Sequence, residues 1–321
     1  MKKTIHYEQM VSVGCGIDVH KDIIVATIRS SSKDFETKEF SSFTSSLTEL
    51  KDWCKQKNVT HIAMESTGIY WKPVFNVIED DCFEIILVNA RHVKNIPGHK
   101  TDKKDSAWLS KLLLSGLLKG SFIPPVDIRE LRDLVRYKRK KTQSVASEKN
   151  RMIKILEDCN VKLSSVVSNV QGASATKIVN AITSGQTDID ILMSYVHGRI
   201  QADREDIKQA LAGRVTEHHR FMLQISRETI DVNESLIAKL DVQIEKAAEQ
   251  YKVELALLET IDGIGKDSAI AIISEIGADM KQFPNEHHLA SWSGMSPGNN
   301  ESGGKKKVQK PFTETNISNP L

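Results

Sequence analysis

VSVGCGIDVHKDIIVATI, residues 11–28, has the pattern of a β-hairpin. An apolar run ends on Asp18, and a second β-type run, Ile23 to Ile28, follows at hairpin distance. Outward from it, VTHIAME at 59–65 is another short apolar run, ending on Glu65. The expected strands are 12–17, 22–29, 35–40, 60–64 and 84–88, with helices over about 43–57 and 69–80. Three early strands followed by alternating helices and strands argue a mixed α/β sheet.

The acids that end these runs carry a cost. A carboxylate at the end of a buried strand is desolvated unless it meets a cation or a hydrogen-bond donor. A second acidic pair lies in PGHKTDKKDSAWLSKLL, residues 97–113. Asp102 and Asp105 stand three apart at a helix start, where Thr101 or Asp102 is a natural N-cap and Ala107, Leu109, Leu112 and Leu113 supply helical periodicity. Positions i and i+3 share a helix face, so both carboxylates can address one object. Lys100, Lys103 and Lys104 surround them, a mixture that suits a magnesium ion meeting a phosphate. Asp18, Glu65, Asp102 and Asp105 together supply the ligands of a two-metal phosphoryl-transfer site, whose ions lie roughly 3.5–4 Å apart. Read alone, DxxD is a weak pattern, more often that of a capped, solvated helix start. His20 and His99 are expected as polar neighbours of the acids, because hard magnesium prefers oxygen.

Ser66-Thr67-Gly68, after Glu65, is a turn that either caps a helix or binds phosphate through backbone N–H groups. Tyr70 and Trp71 follow at once, positioned to stack on a base or ribose or to pack into the core.

The chain has 321 residues, enough for two or three domains. Its 40% hydrophobic and 27% charged content is that of a soluble globular protein, and no run of eighteen apolar residues marks a membrane span. The N-terminus MKKTIHYEQM lacks the apolar core of a signal peptide. Cys15, Cys54, Cys82 and Cys159 are scattered without a CxxC pair, which argues against zinc and fits a reducing, bacterial cytoplasm.

Pro124-Pro125 breaks the chain, giving domains at 1–125, 126–250 and 251–321. Residues 129–154 form a basic helix with a local surplus of seven positive charges. Arg132, Arg136, Lys138, Arg139, Lys140 and Lys141 are its candidate nucleic-acid contacts; a solvated helix face is the other reading. Residues 160–195 read as small helices and loops. Residues 214–258 run without proline or interior glycine and repeat apolar residues at three- and four-residue steps: one long amphipathic helix of coiled-coil type. Its expected partner is the 129–156 helix or the same helix of another subunit. Residues 258–283 place apolar helices on either side of Gly263-Ile264-Gly265, resembling a helix-hairpin-helix whose N–H groups grip a phosphate.

Taken in order, GIDVHKD, AMESTGIYW, VNARHVKNIPGHKTDKKDSAWLSKLL, ETIDGIGKDSAIAIISEIG and LASWSGMSPGNNESGGKK resemble the DEDD-type bacterial insertion-sequence transposases, the IS-one-hundred-ten family. The resemblance runs from about residue 11 to about residue 307. It implies a RuvC-like, ribonuclease-H-type domain first, then a mainly helical region, then a helix-hairpin-helix-like transposase domain. Asp18, Glu65, Asp102 and Asp105 match the family's four acids one by one and imply two magnesium ions, with manganese as the alternative. Ser302 matches the serine taken as the nucleophile that forms a covalent phosphoserine with DNA. Gly303 and Gly304 give the backbone room, and Lys305, Lys306 and Lys307 supply charge for the phosphate. DNA, a guide RNA encoded by the element, and a homo-oligomer (dimer or tetramer) assembled through the helical region are the implied partners.

After Lys307 the tail VQKPFTETNISNPL is polar and aperiodic where the family continues basic and helical. The expectation is a domain cut short at its serine loop, with recombination impaired. Three rivals share parts of the pattern. A RuvC-like junction nuclease uses the acids with water and has no use for Ser302. A non-catalytic nucleic-acid-binding remnant needs neither. An actin-like or sugar-kinase-like ATPase also starts with an Asp-bearing hairpin, but Val-His follows Asp18 where that fold needs a glycine-rich phosphate loop.

Overall fold

The structure, a computed structural model, describes residues 9–66, 68–79, 82–89, 105–118, 120–167, 172–196, 202–295, 301–302 and 305–306, the last two pairs by backbone alone. The chain makes two compact units, residues 1–123 with 280–321, and residues 124–279.

The first unit is built on a six-stranded sheet in the order β3-β2-β1-β4-β5-β6. β1 (Gly14–Val19), β2 (Ile23–Arg29) and β3 (Phe35–Ser41) form an antiparallel meander. β4 (His61–Glu65) and β5 (Glu84–Val88) run parallel to β1, and β6 (Gly120–Ser121) closes the edge antiparallel to β5. Parallel neighbours need crossovers, supplied by α1 (Thr44–Gln56) and α2 (Trp71–Ile78). This is the mixed α/β sheet expected from the alternation of runs, and it is consistent with a ribonuclease-H-like fold.

β1 is central and covered on both faces, and its sequence alternates accordingly: Cys15, Ile17 and Val19 face one side, and Gly14, Gly16 and Asp18 the other. On one face Cys15, Ile17, Val19, Ile62 and Met64 pack with Leu47, Leu50, Trp53, Val74, Phe75 and Ile78. On the other lies α3 (Asp105–Leu114). Residues 280–295 belong to this unit through an aromatic row: Phe283 lies 6.3 Å from Phe122 and 5.7 Å from Trp292, ring centre to ring centre. Trp292 ends α12 (Glu286–Trp292). β7 (Glu301–Ser302) and β8 (Lys305–Lys306) pair antiparallel beyond it.

The second unit is helical. α4 (Val126–Asp158), which begins directly after Pro124-Pro125, packs along α9 (Glu217–Ala248), so the long helix finds its partner within the chain. Between them α5 (Leu163–Val166), α6 (Ala173–Thr183), α7 (Ile189–Ser194) and α8 (Arg204–Leu211) gather a core around Leu163, Ile178, Ile182, Leu192, Ile207 and Leu223. The helix expected over 214–258 is shorter at both ends. Thr216 caps it in a reciprocal hydrogen-bonded box with His219. At 249–251 the chain tightens into a 3-10 turn. There the Tyr251 hydroxyl donates to the Asp127 carboxylate, and α10 (Lys252–Glu259) turns Leu255 into a core with Ile128, Leu131 and Ile270. α11 (Lys266–Ile276) completes that core with Ala269 and Ile273.

Arg132 and Arg136 hold the end of α11 against α4. Arg132 donates from Nε to the Ser274 carbonyl at 2.9 Å and from Nη2 to the Glu275 carbonyl at 2.8 Å. Arg136 grips both carboxylate oxygens of Glu275, at 2.8 and 2.9 Å. Cations at a helix C-terminus oppose its dipole and satisfy its last carbonyls. Arg132→Ala is therefore expected to destabilise the second unit by about 2 kcal/mol, read as a lower urea midpoint at unchanged slope. An unchanged midpoint would remove Arg132 from the joint.

Candidate active site

Register puts two of the acids side by side. β1 pairs with β4 as Ile17↔Met64, so the next step along both strands brings Asp18 beside Glu65. Parallel neighbours lie about 4.8 Å apart and their paired side chains share a face. That face, which also carries Gly14, Gly16 and Ala63, is the one α3 covers.

Two glycines set how closely α3 approaches. A Cβ added to Gly16 would lie 2.2 Å from the Ser106 carbonyl oxygen and 2.4 Å from the Ser110 nitrogen. A Cβ at Gly14 would meet Leu113 and Leu114. Early α3 thus lies over Gly16 and late α3 over Gly14, so the helix runs back along β1. Its first residue, Asp105, stands at the strand end where Asp18 sits.

A buried polar row fixes this crossing. Thr27 Oγ1 shares hydrogen bonds with Ser106 Oγ at 2.8 Å and Thr37 Oγ1 at 2.9 Å. Arg29 donates from Nε to Ser110 Oγ at 3.1 Å and from Nη1 to the carbonyls of Ser31 and Ser32. Its guanidinium carbon lies 4.4 Å from the centre of the Phe35 ring. Alternate residues of β2 thereby meet serines one turn apart on α3. Burial pushes the Arg29 pKa down.

The electrostatics agree with the placement. Burial raises the Asp18 carboxyl above its ordinary value, and the neighbouring charge of Asp105 raises it further. His20, hydrogen-bonded from Nε2 to Asp18 Oδ2 at 3.0 Å, pulls the other way. This is the polar neighbour expected of His20. Asp102, Thr101, His99 and Lys100, Lys103 and Lys104 lie outside the described residues, as do Gly303, Gly304 and Lys307. Among the described residues no three His, Cys, Asp or Glu side chains gather as a metal site. Asp18, Glu65 and Asp105 are nonetheless all-oxygen donors at one strand edge, and Asp18 is held there against its own ionisation. Such a donor set fits a hard divalent cation.

Ser302 ends β7, and Lys305 and Lys306 form β8, in the same unit as the acids. On α4, Arg132, Arg136 and Lys138 face partners within the helical unit; Lys138 reaches Asp241 at 2.6 Å and Asp267 at 3.1 Å. Arg139 and Lys140 are exposed, and Lys141 lies over the Tyr137 ring. Gly263 adopts the left-handed φ of 88° in the turn before α11, and Gly265 is that helix's N-cap. A Cβ at either would meet nothing within 4 Å, so the turn is open on that side. Gly14, Gly16 and the Thr27–Ser106 and Arg29–Ser110 pairs are the site-shaping residues that sequence reading passes over. The G-x-G-x-D spacing of β1 was the available signal for the first two.

Comparison with curated proteins returns no match. Residues 15–161, which include all four acids, match the family model of IS110 DEDD transposases, described as "Transposase". Residues 255–315, which include Ser302, match the model "Transposase IS116/IS110/IS902 family". Both matches name one family, and together they span more than half of the sequence: the chain belongs to the IS110 family of transposases.

Proposed function

We propose that this transposase cuts and exchanges DNA strands at a composite site. Asp18, Glu65, Asp102 and Asp105 hold divalent magnesium, and Ser302 is the nucleophile. The observation that carries the reading is the convergence of Asp18, Glu65 and the start of α3 at one strand edge, with Asp105 near enough for its charge to raise the Asp18 carboxyl. When bound, magnesium activates the attacking oxygen and neutralises charge on the phosphate. Ser302 Oγ bonds to phosphorus as the bond from phosphorus to the leaving deoxyribose oxygen breaks. The serine proton passes to solvent, and the leaving oxygen takes one up. Lys305 and Lys306 supply positive charge to the phosphate, and Arg139, Lys140 and Lys141 to the DNA backbone. The open turn at Gly263 and Gly265 is a further backbone contact, as in a helix-hairpin-helix.

A guide RNA is part of the proposal on family resemblance alone. Assembly with a second copy is supported by Phe221, Ile225 and Val232, exposed on one face of α9. Covalent capture tests the chemistry. Incubated with labelled element-end DNA, its flanking RNA and magnesium, the protein is expected to give a protein–DNA adduct on a denaturing gel. The adduct should vanish in Ser302→Ala and in Asp102→Ala. Metal-dependent cleavage without an adduct would replace this reading with a hydrolytic junction nuclease.

A further inference from the structure

The connection that leaves Glu65 carries two adjacent aromatic residues that the fold treats differently. Ser66 stays on the sheet edge, its N–H donating to the Val88 carbonyl at 2.9 Å. The chain then reverses at Gly68, whose φ of 57° is left-handed. Trp71 opens α2 and turns inward, its ring edge-on to Phe75 with centres 5.8 Å apart. Tyr70 does the opposite. It is 41% exposed beside Ile69 at 45%, and as the residue preceding α2 it makes no side-chain cap hydrogen bond. Among the described residues, therefore, Trp71 has a ring partner and the Tyr70 side chain has neither a ring partner nor a hydrogen bond. Leaving a large aromatic surface in water forgoes the burial that Trp71 obtains.

We propose that Tyr70 is a stacking platform for a base of the DNA strand whose phosphate the carboxylates engage. The proposal rests on the reading of Asp18, Glu65 and Asp105 as a phosphodiester site. Carboxylates with a bound cation hold a phosphate and leave its nucleoside free to swing. A ring on the connection that delivers Glu65 restrains the nucleoside. Stacking also suits a site that must accept varied sequence, because every base presents a π-face. The exposed Ile69 widens the apolar surface against which the base rests.

The test uses the full chain and short single-stranded DNA carrying one 2-aminopurine among thymidines, with calcium present so that binding is read without cleavage. The wild-type protein is expected to quench the 2-aminopurine emission at saturation. Tyr70→Phe and Tyr70→Trp should retain the quenching. Tyr70→Ala should lose it and bind about tenfold more weakly, with an unchanged Tm. Equal quenching and affinity in Tyr70→Ala would overturn the proposal. So would loss of both in Tyr70→Phe, which would make the hydroxyl the contact, and absence of quenching in the wild type, which would leave the ring to a protein partner. The carboxylate reading fails separately, if Asp105→Asn leaves metal-dependent cleavage intact.

Discussion

Gly16→Ala is expected to cost the first unit about 3 kcal/mol and to lower its Tm by roughly 10 °C. The added methyl would sit 2.2 Å from the Ser106 oxygen, 2.4 Å from the Ser110 nitrogen and 3.0 Å from the Leu109 carbonyl carbon. All three are backbone atoms of α3, so no side-chain rotation relieves the clash and the helix itself must lift. Lifting it stretches the Thr27–Ser106 and Arg29–Ser110 hydrogen bonds and carries Asp105 away from Asp18. Gly14→Ala is the control. Its nearest neighbours are Leu113 Cδ2 at 2.8 Å and Leu114 Cδ1 at 3.0 Å, the far ends of flexible side chains, so its cost is expected near about 1 kcal/mol. If thermal melts place the two variants together, α3 does not cross β1 at Gly16.

Asp18→Asn is expected to separate stability from activity. Burial and the charge of Asp105 both raise the Asp18 carboxyl. A carboxyl whose folded pKa lies above its unfolded value stabilises the fold as pH falls through the raised pKa and burdens it when ionised above. At neutral pH with EDTA, the neutral amide removes that burden and can keep the His20 contact, so Asp18→Asn should melt at or above the wild type. Magnesium or manganese should then raise the wild-type Tm, by the equivalent of about 2.7 kcal/mol at a hundred times Kd, and leave the variant unmoved. Strand cleavage should fall by about three orders of magnitude, the several kcal/mol that a bound cation contributes. A variant that melts lower without metal, or a wild type indifferent to metal, would count against a cation at Asp18.

The strands were readable because each is a short apolar run, and Asp18 and Glu65 because each ends one. What could not be read comes from contacts across long sequence separations. Gly14 and Gly16 look like ordinary strand glycines until α3, some ninety residues later, lies on them. Arg132 and Arg136 look like part of a basic surface; their partners Ser274 and Glu275 stand about 140 positions downstream. The 214–258 periodicity continues through the break at 249–251, because Leu255 is apolar whichever helix it belongs to. At that break the Tyr251 hydroxyl meets Asp127, a partner 124 positions upstream that the periodicity does not reveal. Ser302 carried no local signal beyond a glycine-rich loop, so its assignment came from the family pattern.

The first unit is also discontinuous, and that has a consequence on the ribosome. Translation completes the sheet by residue 121, yet residues 124–279 must be made before Phe283 and Trp292 exist. At bacterial elongation speeds that interval lasts on the order of ten seconds. Throughout it Phe122 has no Phe283 to rest on, and it lines an open cleft with Phe75, Phe83, Ile85 and Ile123. The same order means that a growing chain contains Asp18, Glu65 and Asp105 well before the segment with Ser302 is synthesised.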